Sequence, residues 1–393
     1  MNFSPKDPSS LARDGMQALR SGDARLARES FDAIVSLGVD DASSCTGLAI
    51  ACRRLEDGPA SLAAIDRALA HEPRNLRALI VKGDLLDWLG DPRGASSHYM
   101  AAVTLARSAG QVPADLHPDL ARAQAQCERI AGQIEERVRS RLAAQGMVEG
   151  RSGGRFLQSL DILFGRKRAY FQQPRYYYFP GLANIPFFDR ADFPWLDQVE
   201  AATGEIRAEL LEIMRQESAF KPYVQGDPRR PRKEQDGMLD NPDWSAFYLW
   251  KNGTAVGEHT VRAPATMAAL SGAPLTQMAN RSPSILFSQL RAGAHIPPHC
   301  GLVNSRLICH LPLIVPGKCA FRVGNEIREW EEGEAWVFDD SIEHEAWNRS
   351  EATRVILLFE IWRPELSAEE RAFVAAMFEA IDACGGERPD WEI

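Results

Sequence analysis

Ser284-Ile-Leu-Phe-Ser-Gln-Leu-Arg-Ala-Gly-Ala-His-Ile-Pro-Pro-His299-Cys-Gly-Leu-Val-Asn-Ser-Arg-Leu-Ile-Cys-His310 decides the fold of the C-terminal half of this 393-residue chain. It is answered downstream by Trp336-Val-Phe-Asp-Asp-Ser-Ile-Glu-His344 and by Arg354, which opens the apolar run Val355-Ile-Leu-Leu-Phe-Glu-Ile-Trp362. Alternation and β-branched content predict strands at 285–290, 305–311, 320–323, 334–338 and 354–362, with turn residues such as Pro316-Gly317 and Gly324-Asn325 between them. Short strands punctuated in this way make an antiparallel sandwich or jelly roll. His299 and His344 each stand at the edge of such a segment, and Arg354 follows the second by ten residues. Neutral imidazole suits Fe(II), and an Fe(II) site that activates O2 keeps positions open for cosubstrate and gas. An arginine buried on the next strand can hold a carboxylate bidentately. Two histidines and this arginine form the layout that a 2-oxoglutarate-dependent oxygenase needs.

The same segments resemble the aspartyl/asparaginyl β-hydroxylases. The residues that carry the likeness are Phe287-Ser288, His299 to Leu311, Phe338 to Glu345, Arg354 and Trp362 to Leu366. Tyr178-Phe-Pro-Gly-Leu182 and Phe193-Pro-Trp-Leu196 look like the family's lead-in, so the resemblance extends over residues 175–380. It implies a double-stranded β-helix of the jelly roll or cupin type, with Fe(II) held by His299 and His344. It also implies 2-oxoglutarate as cosubstrate, O2 as oxidant, Arg354 on the distal carboxylate, and Ser288 and His310 assisting it. The commoner facial triad places a carboxylate two residues after the first histidine. That position is Gly301 here, a gap the family shares, and water is expected in the vacant place.

One departure concerns the cosubstrate. The animal enzymes carry an arginine two residues before the equivalent of His310, where this chain has Ile308; Arg306, two residues earlier, is expected on the same strand face and is the candidate to compensate. His295, four residues before His299, is expected on the same side of its strand and is the rival ligand. Asp339, Asp340 and Glu343 are read as hydrogen-bonding or strand-edge residues, and Cys300 as a small packed side chain. Arg322, Asn325-Glu326 and Trp330 are expected to border the substrate cleft. The implied reaction is hydroxylation of an unactivated C–H bond, at the β-carbon of an aspartyl or asparaginyl residue in a protein or peptide. Related enzymes act on lipid acyl chains or small molecules, so those substrates stay open. So does a catalytically idle barrel attached to a working protein-binding module.

Outside this half the chain repeats. Asp23, Asp57 and Asp91 recur every 34 residues, as do Phe31, Ile65 and Tyr99, and Gly15, Ala49 and Gly83. Small residues where paired helices touch, with large ones beneath, look like a tetratricopeptide solenoid over residues 1–150. A helix over 119–145 is expected to cap the stack. Such a stack presents a concave surface that can recruit a protein or peptide substrate. Gly150-Arg-Ser-Gly-Gly-Arg155 reads as the domain break, residues 151–175 as linker and helix, and 176–393 as the oxygenase domain. Within the approach, Phe156–Phe171 is expected to form an amphipathic helix, Tyr176–Phe179 a strand, and Phe193–Arg215 a single helix. Asp227–Lys233 is expected to be a solvated loop.

A net charge of −9 argues against nucleic acid as partner. No apolar run approaches the length of a membrane span, and the N-terminus lacks the pattern of a signal peptide. Seven cysteines without framework spacing read as free thiols in a reducing compartment, so the expected location is the cytoplasm.

Overall fold

The computed structural model describes residues 7–109, 111–147, 154–215, 219–226 and 237–384. The chain separates into two compact units, Met1–Phe164 and Gly165–Ile393. Residues 150–153 of the expected break and the loop 227–233 lie outside the described residues.

The first unit consists of α1 (Pro8–Ser21), α2 (Ala24–Ser36), α3 (Ala42–Arg54), α4 (Gly58–His71), α5 (Leu76–Trp88), α6 (Pro92–Ser108), α7 (His117–Ala144) and α8 (Gly154–Leu163). α1 packs on α2, α3 on α4 and α5 on α6, so each 34-residue period is one helical hairpin. The repeating aspartates have a shared task. Asp23, Asp57 and Asp91 cap the second helix of each hairpin, accepting from the backbone N–H of Leu26, Ala60 and Gly94 at 3.0, 3.1 and 2.9 Å. The repeating glycines make room for aromatic rings. A Cβ at Gly15 would stand 2.9 Å from Phe31, and one at Gly83 2.6 Å from Tyr99. α8 ends at Leu163, short of the expected helix to Phe171.

Among its described residues the second unit holds eleven strands: β1 (Lys221–Pro222), β2 (Trp244–Lys251), β3 (Thr254–Ala255), β4 (Ile285–Leu290), β5 (His295–His299), β6 (Arg306–Ile314), β7 (Cys319–Val323), β8 (Glu326–Glu329), β9 (Trp336–Phe338), β10 (His344–Asn348) and β11 (Arg354–Trp362). One antiparallel sheet runs β1-β2-β4-β11-β6-β9 with β3 on β2, and a second runs β5-β10-β7-β8. The expected helix at Phe193–Arg215 is two helices, α9 (Leu196–Ala201) and α10 (Thr203–Met214), separated at Ala202. Their apolar residues Leu196, Val199, Ile206, Leu210 and Ile213 bury the outer face of the large sheet. α11 (Gly257–Thr260) and α12 (Pro264–Ala269) follow, and α13 (Ala368–Ala383) opens with a complete Ser367–Glu370 capping box. Tyr176–Phe179 forms no strand; Tyr177 makes an isolated bridge to Val303.

β6 and β11 are covered on both faces, and the period of two sorts their side chains. Leu307, Cys309, Leu311 and Leu313, with Val355, Leu357, Phe359 and Ile361, pack toward the helices. The other phase, Arg306, Ile308 and His310 with Arg354, Ile356, Leu358 and Glu360, lines the space between the sheets. Polar residues of that phase are buried because they line a site. Among the described residues no helix is long and apolar enough to cross a membrane.

Candidate active site

His299 and His344 are cross-strand partners of β5 and β10, and their ring centroids are 4.2 Å apart. Each ring is held by the backbone two residues before it: Nδ1 of His299 lies 2.8 Å from the carbonyl oxygen of Pro297, and Nδ1 of His344 lies 3.0 Å from that of Ile342. A carbonyl oxygen can only accept, so each Nδ1 carries the proton and each Nε2 keeps its lone pair. Burial lowers the pKa of His299 to about 4. Burial, and then the neighbouring His299, hold His344 well below its ordinary value. Both rings are neutral at pH 7, which is the ligating form.

No carboxylate joins them as a ligand. Among the described residues no third His, Cys, Asp or Glu completes a metal-binding cluster. A Cβ at Gly301 would lie 2.0 Å from Oδ2 of Asp340, so the position two residues after the first histidine is closed to any side chain. Asp340 is 2% exposed, and its Oδ2 accepts from Arg306 Nη1 at 2.9 Å while Oδ1 is buried without a hydrogen-bond partner. Burial raises its pKa to about 6 against the pull of Arg306.

Two cations line the same space with opposite circumstances. Arg306 is ion-paired twice, with Asp340 and with Glu360 Oε1 at 3.3 Å. Arg354 is 1% exposed and has no carboxylate partner among the described residues. Its guanidinium carbon sits 4.6 Å above the Trp330 ring, its nearest acceptor is the Ser288 carbonyl oxygen at 3.5 Å, and its Nε has no partner. Burial draws its pKa down to about 10. His310, facing Leu358 of β11, is kept neutral by burial and by the charge of Arg354, and its Nδ1 is likewise unpartnered. Ser288 Oγ accepts from Trp244 Nε1 at 3.3 Å. A buried unpaired guanidinium beside an unpartnered imidazole nitrogen is costly unless an anion arrives to satisfy both.

His299, His344, Arg354, Ser288, His310 and Arg306 therefore line one cavity. Arg306 reaches it with its charge already spent, and Ile308 lines the wall beside it. His295 faces away, contrary to expectation. β5 bulges so that His299, Ile296 and His295 pair with His344, Ala346 and Trp347, and the extra residue rotates His295 outward onto Trp347 and Glu345. Asp339 is bound to Arg363 at 2.6 Å, and Glu343 to Arg322 at 3.0 Å, so both are structural partners. Burial pushes the Cys300 thiol up to about 11. Trp330 lines the cavity; Asn325 instead binds the Arg168 carbonyl oxygen. Glu360 was missed from the sequence, although its phase with Arg354 and Leu358 along β11 marks it as inward-facing.

Residues 200–364 match the family model described as aspartyl/asparaginyl beta-hydroxylase. The second unit is thus similar to this β-hydroxylase family. It is 37% identical over 145 residues to the human aspartyl/asparaginyl beta-hydroxylase, covering 37% of this chain and 19% of that protein. The Rhizobium tropici ornithine lipid ester-linked acyl 2-hydroxylase is 34% identical over 188 residues, covering 47% of this chain and 62% of the relative. The human aspartate beta-hydroxylase domain-containing protein 2 is 29% identical over 231 residues, with 58% of each chain covered. The matches thus span less than two thirds of each of these relatives. Ahead of the matched residues, the helical region resembles tetratricopeptide folds. Solved neighbours include the Yersinia enterocolitica type III secretion translocator chaperone SycD (16% identity, TM-score 0.31, 34% of this chain and 90% of that one) and the TPR2B-domain:pHsp70 complex of yeast Sti1 (17%, 0.29, 32% and 97%).

Proposed function

We propose that this chain is an Fe(II)- and 2-oxoglutarate-dependent dioxygenase that hydroxylates an unactivated C–H bond of an aspartyl or asparaginyl residue in a protein or peptide. The observation that carries this reading is the pair of free Nε2 nitrogens facing the cavity that also holds the unpaired Arg354. His299 and His344 would hold the metal, and their carbonyl partners fix the tautomer that does so. When bound, iron, 2-oxoglutarate and O2 supply the oxidising power, with the cosubstrate leaving as succinate and CO2. Arg354 would grip the distal carboxylate through its fork of N–H donors, with Ser288 and the unpartnered His310 nitrogen alongside. The apolar walls, including Ile296, Ile308, Phe338 and Leu358, would exclude water from the reacting carbon. The helical repeats would recruit the substrate protein.

Anaerobic addition of 2-oxoglutarate to the Fe(II)-loaded chain tests this. A weak visible metal-to-ligand charge-transfer band is expected, lost in His299→Ala and weakened in Arg354→Ala. Its absence at saturating cosubstrate would overturn the reading.

A further inference from the structure

We infer that Arg322 and His295 are positioning residues of the metal site: from the outer face of the small sheet they clasp the carboxylates that flank His344, and so fix the two imidazoles relative to each other. The inference rests on the function proposed above and adds the part of the chain that sets how firmly the metal is held.

The need for a clasp follows from β5. Among the described residues no further His, Cys, Asp or Glu joins His299 and His344 as a ligand. Two ligands hold a metal well only if their strands keep one separation and one orientation. His299 pairs with His344, but the next pairing is Ile296 with Ala346, and the extra residue of β5 falls at Pro297-Pro298. Neither proline has an N–H to donate. The ladder between the two ligand strands therefore lacks donors from β5 directly beside the first ligand. Among the described residues β5 is also the edge of its sheet, with β10 as its one neighbour.

Side chains on the opposite face supply what the backbone lacks. Strand alternation turns Glu343 and Glu345 away from His344. Glu345 stands opposite the proline bulge, and its Oε2 lies 2.9 Å from Nε2 of His295 on β5. His295 also stacks on Trp347 of β10, with ring centroids 5.7 Å apart and planes at 3°. On its other side Glu345 Oε1 accepts from Nε of Arg322, its cross-strand partner on β7. One carboxylate thus ties β5, β10 and β7 together.

Arg322 carries the tie past His344. Its Nη2 donates to Glu343 Oε1 at 3.0 Å, and its Nη1 donates to the Gly324 carbonyl oxygen at 2.7 Å and the Tyr170 hydroxyl at 3.1 Å. Both neighbours of His344 hang on one planar guanidinium, and the side chains of Arg322 and Glu345 are each only 12% exposed. The planar fork matters, because a lysine ammonium is a point donor and cannot present fixed N–H groups to two carboxylates at once.

The test uses the full metal-free chain and Mn(II), whose free-ion paramagnetic resonance signal reports binding without turnover. The native chain is expected to bind Mn(II) and His299→Ala to lose it. Arg322→Met is expected to bind about tenfold more weakly, the lower end of the range for groups that orient metal ligands. Arg322→Lys should recover part of the loss. His295→Phe keeps a ring on Trp347 without the bond to Glu345 and should weaken binding by less. Both residues act through Glu345, so adding His295→Phe to Glu345→Ala should weaken binding no further. Thermal melts of the metal-free variants give the folded fraction against which each affinity is read. With Co(II) bound, the Nδ1 protons of His299 and His344 should give two exchangeable hyperfine-shifted resonances, and Arg322→Met should move at least one of them. Where Arg322→Met does not fold, His295→Phe carries the same test, since the His295 side chain is 44% exposed. Undiminished Mn(II) affinity in the clasp variants, additive losses in the double variant, or losses that follow only the folded fraction with unmoved Co(II) resonances would each overturn the inference. A native chain that binds neither metal would sink the proposed function itself; native binding with unaltered clasp variants would sink this inference alone.

Discussion

The Cβ of any residue other than glycine at position 301 would lie 2.0 Å from Oδ2 of Asp340. The place where a facial triad would present its carboxylate is filled by a carboxylate from the turn after β9, already paired with Arg306. Gly301→Asp should therefore not complete a three-ligand site. Forcing a side chain into a packed interior costs about 1–3 kcal/mol, and here it also sets two carboxylates against each other. The expected result is a lower melting temperature and no gain in Mn(II) affinity by calorimetry. Tighter metal binding by a variant of undiminished stability would contradict this account of the gap.

Much of the second unit was legible because its strands carry two-phase patterns. β4 and β11 fall at the expected residues 285–290 and 354–362, and the two histidines and Arg354 converge from their predicted edges. What remained hidden depended on pairing. Pro297-Pro298 hides β5, and prolines are tolerated there because β5 is the edge strand of its sheet. The β5 bulge, invisible in a period of two, turned His295 away. Glu360 sits in so apolar a run that only its phase betrays it. In the first unit the 34-residue spacing located the hairpins, while the capping role of the repeating aspartates emerged from their hydrogen bonds.

Acidification should destabilise the metal-free chain. In the unfolded state His299, His310 and His344 each take up a proton near pH 6.5. In the folded state burial keeps them neutral, His299 down to about 4 and the other two well below their ordinary value. The unfolded chain therefore binds more protons as pH falls from 6.5 toward 4, and the stability present above that window is lost through it. Asp340 acts in the opposite sense, since its raised pKa of about 6 favours the folded state below its ordinary 3.8 and releases that stability as pH rises through 6. Three histidines outweigh one carboxyl. The melting temperature should be lower at pH 5 than at 7.5, and His299→Gln should reduce the difference. Equal melting at both values would refute the burial of neutral imidazoles.

Asp57→Ala removes the cap of α4. The Ala60 N–H loses its acceptor at 3.1 Å, and Arg28 Nη1 loses its partner at 2.9 Å. Loss of such a cap costs about 0.5–2 kcal/mol, while the half-exposed ion pair adds little. Urea unfolding followed by far-ultraviolet circular dichroism should show a weaker helical transition. Asp57→Asn, which can still cap, should recover most of it. A variant with an alanine cap and unchanged unfolding would show that packing alone holds the hairpin.

Arg354 sets stability against binding. Its buried guanidinium stacks on Trp330 and meets no carboxylate, so the cofactor-free chain bears the cost of desolvating it. Arg354→Met keeps a long apolar side chain and removes the charge. Its melting temperature without ligand should equal or exceed that of the native chain. Its affinity for 2-oxoglutarate should fall by about 2–5 kcal/mol, the range for deleting one partner of a buried charge-assisted pair. Arg354→Lys keeps the charge but loses the planar fork, and should fall between the two. Calorimetric titration of 2-oxoglutarate, paired with thermal melts of the three proteins, decides the matter. A methionine variant that melts earlier yet binds 2-oxoglutarate unchanged would make Arg354 a structural residue and leave the cosubstrate without its anchor.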